Sequence, residues 1–342
     1  MIFVTPQSKK ELVLNQNMLV TADGKEEYPF IKGVPILLPE KMNPDWSREL
    51  IEIIFFEHPE VITKIYDKIE ADNVTDWNEV YVKYIKELHT TKENILKAFA
   101  SYRQKETDIW ITGDKSGKIT DNQIRQFEKF ADKSIGEKRT ETKINGIGLI
   151  WDRYRYFGEL VCKEKTDKIL ELATGAGGGT ASVALYMPDG SELYTVDIGF
   201  DCLGNAIGIG KYQKKNIIPV CANFWYLPFK DKSFKTVCTA CGLDESREMI
   251  ETLKEVSRIL SDGGRFVVIS RNNAFMRQHR ILEPFGFTEK ETLDILKDCR
   301  MYSDLNNLDE ICDGLGMKLI SRKEYKGDDK IAFSVSEYRK TM

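Results

Sequence analysis

The sequence has little of what metal and disulfide chemistry require. Its 342 residues include three histidines, His58, His89 and His279, too few and too scattered for a histidine-based metal centre. Seven cysteines, an odd number with none in the first forty residues, argue against a disulfide framework and read as reduced thiols. Neither sign of charge dominates. Lys+Arg 50 against Asp+Glu 54 leaves a net −4, which weighs against non-specific nucleic-acid binding. No apolar run approaches the ~18 residues of a membrane helix. The opening MIFVTPQSKKELVL lacks a basic stretch followed by a continuous apolar one, so the expected location is cytoplasmic, with no membrane partner. What remains is an ordinary globular balance, 42% hydrophobic and 30% charged, long enough for about two domains at ~150 residues each.

Three zones follow one another. Residues 1–42 carry short apolar runs broken by Asp23-Gly24 and Lys32-Gly33, the punctuation of β-hairpins, and read as a small β unit. Residues 43–144 change period. Trp46–Phe56, Pro59–Ala71, Glu79–Leu88, Glu93–Tyr102 and Asp121–Phe130 place apolar residues three and four apart, which predicts a helical domain. Its two readings are a cover over a substrate pocket and a bundle for homodimerisation. Residues 145–342 alternate short β-prone runs (Lys168–Ala173, Glu192–Asp197, Ile217–Cys221, Thr236–Ala240, Arg265–Ser270) with helix-length stretches such as Asp244–Leu260. That order predicts a doubly wound α/β fold on a mostly parallel sheet. Met317–Tyr325 and Ile331–Tyr338, joined by a short turn, close it with an antiparallel pair.

The chemistry concentrates in Ile169–Thr180. A buried strand runs into Thr174-Gly175-Ala176-Gly177-Gly178-Gly179 and then into helix-compatible sequence. Residues without Cβ atoms let a ligand lie against exposed N–H groups at a helix start. A dinucleotide would require glycine or alanine where Thr180 stands, which weakens that reading. Asp197 ends the next strand 22 residues after Gly175, the distance at which a carboxylate accepts hydrogen bonds from ribose hydroxyls.

Taken with Cys221–Phe229, the segment Ser233-Phe234-Lys235-Thr236-Val237 and Gly263-Gly264 before a fifth strand, this order resembles the class I S-adenosylmethionine-dependent methyltransferases, in particular the quinone-biosynthesis C-methyltransferase group. The resemblance implies a seven-stranded sheet. It implies a cofactor site on Glu171, Ala173, Thr174, Gly175 and Gly177, with Asp197 and Ile198 at the ribose and Asn223 and Phe224 at the adenine. Ala173 stands where the family has glycine, and Asn223 where it has aspartate. Tyr154 and Tyr156, in Trp151–Phe157 ahead of the first strand, are candidates to cover the cofactor. Asp244 and Glu245, in the loop after the fourth strand, and His279, beyond the fifth, are candidate catalytic groups. The expected substrate is a small-molecule acceptor. A ribosomal RNA methyltransferase and a cofactor-binding protein without turnover are the alternatives.

The segment Tyr28-Pro29-Phe30-Ile31-Lys32-Gly33-Val34-Pro35-Ile36-Leu37-Leu38-Pro39 resembles a second family, the small zinc-ribbon activators of methyltransferases. By register, the metal-binding cysteines of that family fall on Thr5, Ser8, Thr21 and Gly24, none of which supplies a thiolate. No metal is expected there.

Overall fold

The computed structural model describes residues 2–39, 152–271 apart from 245 and 247, 287–288, 305–326 and 332–341, with a few single positions besides. The predicted helical domain, Glu245, His279 and the turn between the last two strands lie outside them.

One mixed sheet organises the described chain. Its strands are β1 (Leu12–Asn15), β2 (Met18–Thr21), β3 (Glu27–Ile31), β4 (Val34–Leu37), β5 (Lys168–Leu172), β6 (Glu192–Asp197), β7 (Asn216–Ala222), β8 (Phe234–Ala240), β9 (Leu260–Arg271), β10 (Met317–Lys326) and β11 (Ala332–Lys340). They run in the order β1-β2-β3-β4-β7-β6-β5-β8-β9-β11-β10. Strands β5 to β9 pair in parallel, and β11 lies antiparallel to both β9 and β10. The sheet has eleven strands where seven are expected. The difference is the N-terminal unit: β4 pairs in parallel with β7 through Ile36–Cys221 and Leu37–Ala222, so the first forty residues extend the sheet edge.

Both faces are covered, and strand alternation decides what goes where. Leu170 and Leu172 face a core closed by α4 (Met249–Ile259) and α5 (Leu308–Gly314). Ile169 faces the other core, under α1 (Asp152–Val161) and α2 (Gly178–Tyr186). Helix α3 (Phe200–Gln213) packs Leu203 against Ile36 and Cys221. Met249, Leu253 and Val256 are buried at helical spacing while Glu251 and Lys254 pair with each other on the exposed side, which is why α4 forms here.

The N-terminal unit is tied down by more than one ladder. Phe3 joins Tyr194, Phe229 and Phe234 in a cluster of edge-on and tilted rings 5.0–6.2 Å apart. Lys9 reaches Glu255 of α4 at 2.7 Å. The positions without thiolates are occupied by a polar network instead. Thr5 and Ser8 share a 2.6 Å hydroxyl contact, Ser8 donates to Glu26 at 2.7 Å, and Thr21 donates to Asp23 at 2.6 Å. Lys10 bridges Asp23 and Glu26. Elemental analysis of the purified protein is therefore expected to find no stoichiometric zinc. One zinc per chain would overturn this and direct attention to Cys238 and Cys241.

Candidate functional site

The glycine loop leaves β5 at its carboxyl end through a run of unusual backbone angles. Ala173, Gly175 and Gly177 all have left-handed φ, at 64°, 48° and 88°. Two of the three are glycine; Ala173 holds the conformation despite its Cβ, anchored by its N–H to the Val196 carbonyl at 2.9 Å. Alternating handedness turns successive amides toward one concavity, the arrangement that receives anionic groups. Helix α2 starts immediately, earlier than expected, with Gly178 and Gly179 inside it. Its N-cap, Gly177, offers no side-chain cap and its first turn holds no acid, so the opening amides keep their capacity for a ligand. Open space lies beside Gly175, where an added Cβ meets nothing within 4 Å.

Asp197 locks this loop from the next strand. Its Oδ2 accepts from the Gly175 N–H and its Oδ1 from the Gly199 N–H, both at 2.9 Å. Ile198 follows it, half-buried against the α3 core.

Glu171 is placed differently from what the resemblance implies. Its side chain is completely buried behind the loop. Strand register sets it between Thr195 on β6 and Cys238 on β8. Oε2 accepts from Thr180 at 2.6 Å and from Thr195 at 3.0 Å, and Thr195 continues to Thr174 at 2.6 Å. Oε1 has no hydrogen-bond partner among the described residues. Burial pushes its carboxyl up to about 8, against the lowering by the two threonines. The sequence reading missed these threonines; counting the β5–β6 register from Glu171 would have found Thr195. Helix α2 approaches so closely that a Cβ on Gly179 would lie 2.3 Å from Oε1 and 2.8 Å from the Ala240 methyl. Gly179→Ala is expected to cost about 1–3 kcal/mol by overpacking, as measured by urea unfolding. A neutral result would mean that α2 shifts freely.

Asn223 follows β7 and caps the short turn Phe224–Tyr226, its Oδ1 accepting from the Trp225 N–H at 2.8 Å. Phe224 is half-buried against the α4-side core. Tyr154, on α1, packs against the α1–α2 core, next to Arg153, whose guanidinium lies 3.9 Å over the ring of Phe333, the partner of Arg271 at the end of β9. Burial, the first cause, raises the Tyr154 phenol well above the usual range. Asp244 is buried and salt-bridged to Arg271, which also donates to the Cys241 carbonyl at 3.0 Å. The pair ties the loop after β8 to the end of β9. Arg271 had no signal in the sequence that marked it.

These elements coincide with a sequence match. Residues 145–285 match the model described as the ubiE/COQ5 methyltransferase family. Among curated proteins, the ubiquinone/menaquinone biosynthesis C-methyltransferase UbiE of Pectobacterium carotovorum subsp. carotovorum (strain PC1) is 30% identical over 137 residues, 39% of this chain and 53% of that one. UbiE of Shewanella baltica (strain OS155) is 30% identical over 167 residues, 47% of this chain and 65% of that one. The chain thus spans about half to two thirds of the length of the relatives it matches. Among solved structures, phosphoethanolamine N-methyltransferase 2 of Haemonchus contortus aligns at 16% identity and a TM-score of 0.44, covering 63% of this chain and 60% of that one. The matched segment contains the glycine loop, Asp197, Asn223 and Asp244, and leaves out the N-terminal unit and strands β10 and β11.

Proposed function

We propose that the chain is an S-adenosylmethionine-dependent methyltransferase acting on a small-molecule acceptor. The observation that carries this reading is the left-handed Ala173–Gly177 loop opening an uncapped helix, held by Asp197, inside a segment that matches a methyltransferase family. Bound S-adenosylmethionine supplies a sulfonium methyl group, which an acceptor takes by in-line attack, releasing S-adenosylhomocysteine. Catalysis of that kind asks mainly for alignment, so it imposes no obligatory catalytic motif, and a protonated acceptor gives up its proton as the new bond forms.

The residues divide the work by position. The amides of the Ala173–Gly178 loop take the carboxylate of the methionine end, and Asp197, at the end of β6, faces the ribose hydroxyls. Asn223 reads the adenine edge with its amide, and Phe224 lies beside it. Glu171 stands behind the loop and acts through Thr195 and Thr174, so it positions the site without touching the ligand. Tyr154 borders the methyl end. Asp244, paired with Arg271, shapes the acceptor side. The first forty residues, which resemble a zinc ribbon without its thiolate ligands, brace β7, the strand that leads into Asn223.

Calorimetry with S-adenosylhomocysteine tests the assignment. Asp197→Ala removes both the loop anchor and the ribose acceptor, so affinity is expected to fall by about 1–3 kcal/mol or more. Unchanged affinity would take Asp197 out of the site. Wild-type protein that does not bind at all would remove the whole reading.

A further inference from the structure

The amides of the glycine loop are not equally placed to meet a ligand. The Ala173 N–H goes to the Val196 carbonyl at 2.9 Å, and the Thr174 N–H to the same oxygen at 3.3 Å. The Gly175 N–H goes to Asp197 at 2.9 Å and the Gly177 N–H to the Thr174 carbonyl at 2.8 Å. Four of the five amides from Ala173 to Gly177 are thus spent within the chain. Ala176 is the exception. Its N–H has no partner among the described residues, and it is the exposed residue of this stretch.

The peptide that carries this N–H is held from outside the loop. In a trans peptide the carbonyl of one residue and the N–H of the next point in opposite directions. Asn205, on the second turn of α3, donates from Nδ2 to the Gly175 carbonyl at 2.7 Å. Helix α3 also backs the loop on that side, since a Cβ on Gly177 would meet Ile209 at 2.6 Å and Asn205 at 3.6 Å. With its carbonyl turned to α3, the peptide turns the Ala176 N–H away from the helix. Gly175 does nothing to fix that direction: it has φ 48°, and a Cβ there would meet nothing within 4 Å. The anchor decides it. We infer that Asn205 is a positioning residue for the cofactor, which by holding the Gly175 carbonyl aims the Ala176 N–H at the carboxylate of the methionine end. The inference rests on the methyltransferase reading and narrows it to one charge-assisted hydrogen bond, the stronger kind. Asp197 clamps the peptide before Gly175 and Asn205 the one after it, so the two side chains act on different amides.

Calorimetry with two ligands on the full-length protein tests this. S-adenosylhomocysteine carries the amino-acid end; methylthioadenosine has the same adenosine and thioether without it. Asn205→Ala is expected to weaken S-adenosylhomocysteine at least about tenfold while methylthioadenosine changes by less than about twofold. Alanine is the better helix former, so thermal unfolding of this variant is expected to match wild type. Asn205→Asp keeps the shape of the side chain but sets a carboxylate, which cannot donate, against the Gly175 carbonyl. It is expected to lose S-adenosylhomocysteine at least as strongly. Equal losses for the two ligands would make Asn205 a structural residue only and overturn the inference. Undiminished S-adenosylhomocysteine affinity in both variants would overturn it too, and in either case the methyltransferase reading would stand. Wild type that binds neither ligand would remove that reading and this inference with it.

Discussion

Truncating Glu337 to alanine is expected to destabilise the protein by about 3–5 kcal/mol, the largest single-residue effect outside the ligand site. Arg265 and Glu337 are each 1% exposed at the side chain and meet at 2.7 Å across the β9–β11 ladder. Burial alone would raise the Glu337 carboxyl, but the hydrogen bond from Arg265 and its charge outweigh that and hold it below the usual range. Arg265 also donates to the Leu160 and Val161 carbonyls, satisfying the carboxyl end of α1. Glu337→Ala leaves the guanidinium buried with two carbonyls and the half-exposed Glu164 carboxylate 3.7 Å away. The double replacement Arg265→Met, Glu337→Leu is expected to recover part of the loss, but not the cap on α1. Urea unfolding of the singles and the double measures the coupling. A cost below about 1 kcal/mol for Glu337→Ala would mean that the pair is solvated.

Stability is expected to fall as pH rises from 6 to 9, and Glu171 is the reason. Its carboxyl titrates at about 8 in the folded chain against 4.5 when exposed. The folded state therefore holds a proton that the unfolded chain has already lost, and folding weakens with pH until the folded carboxyl ionises. Over pH 6–9 the loss amounts to about 2–3 kcal/mol. Glu171→Gln keeps an oxygen for Thr180 and Thr195 and removes the titration. Its unfolding curves should diverge from those of wild type as pH rises, with the variant the more stable above pH 8. Parallel curves for the two proteins would show that Glu171 is ionised throughout.

How much of this was legible in the sequence differs by element. The parallel strands were, because buried β runs bounded by turn residues leave little choice: Glu192–Asp197 is found where expected, and β5 ends one residue earlier than read. The loop and Asp197 were legible because glycines at alternate positions and a carboxylate one strand later form a local pattern. The surroundings of Glu171 were not. Which side of a strand an acid faces, and what covers it, depends on pairings between β5, β6 and β8 and on α2 lying close overhead. The Arg265–Glu337 pair spans 72 positions, and neither residue stands out among 104 charged ones. The pairing of β4 with β7 was hidden for the same reason, since nothing in Val34–Leu37 names its partner.

That pairing also sets an order of events on the ribosome. Ile36 is made 185 residues before Cys221, its neighbour in the sheet. At about 5–20 residues per second the first strands wait roughly 10–40 s for the edge they complete. During that interval β4 presents an unsatisfied backbone and an apolar face with no home. Forty residues bury too little surface to hold themselves together meanwhile. These strands thus wait for their neighbour across a longer stretch of chain than any other pairing in the sheet, and in the growing polypeptide they are the part that most needs shielding.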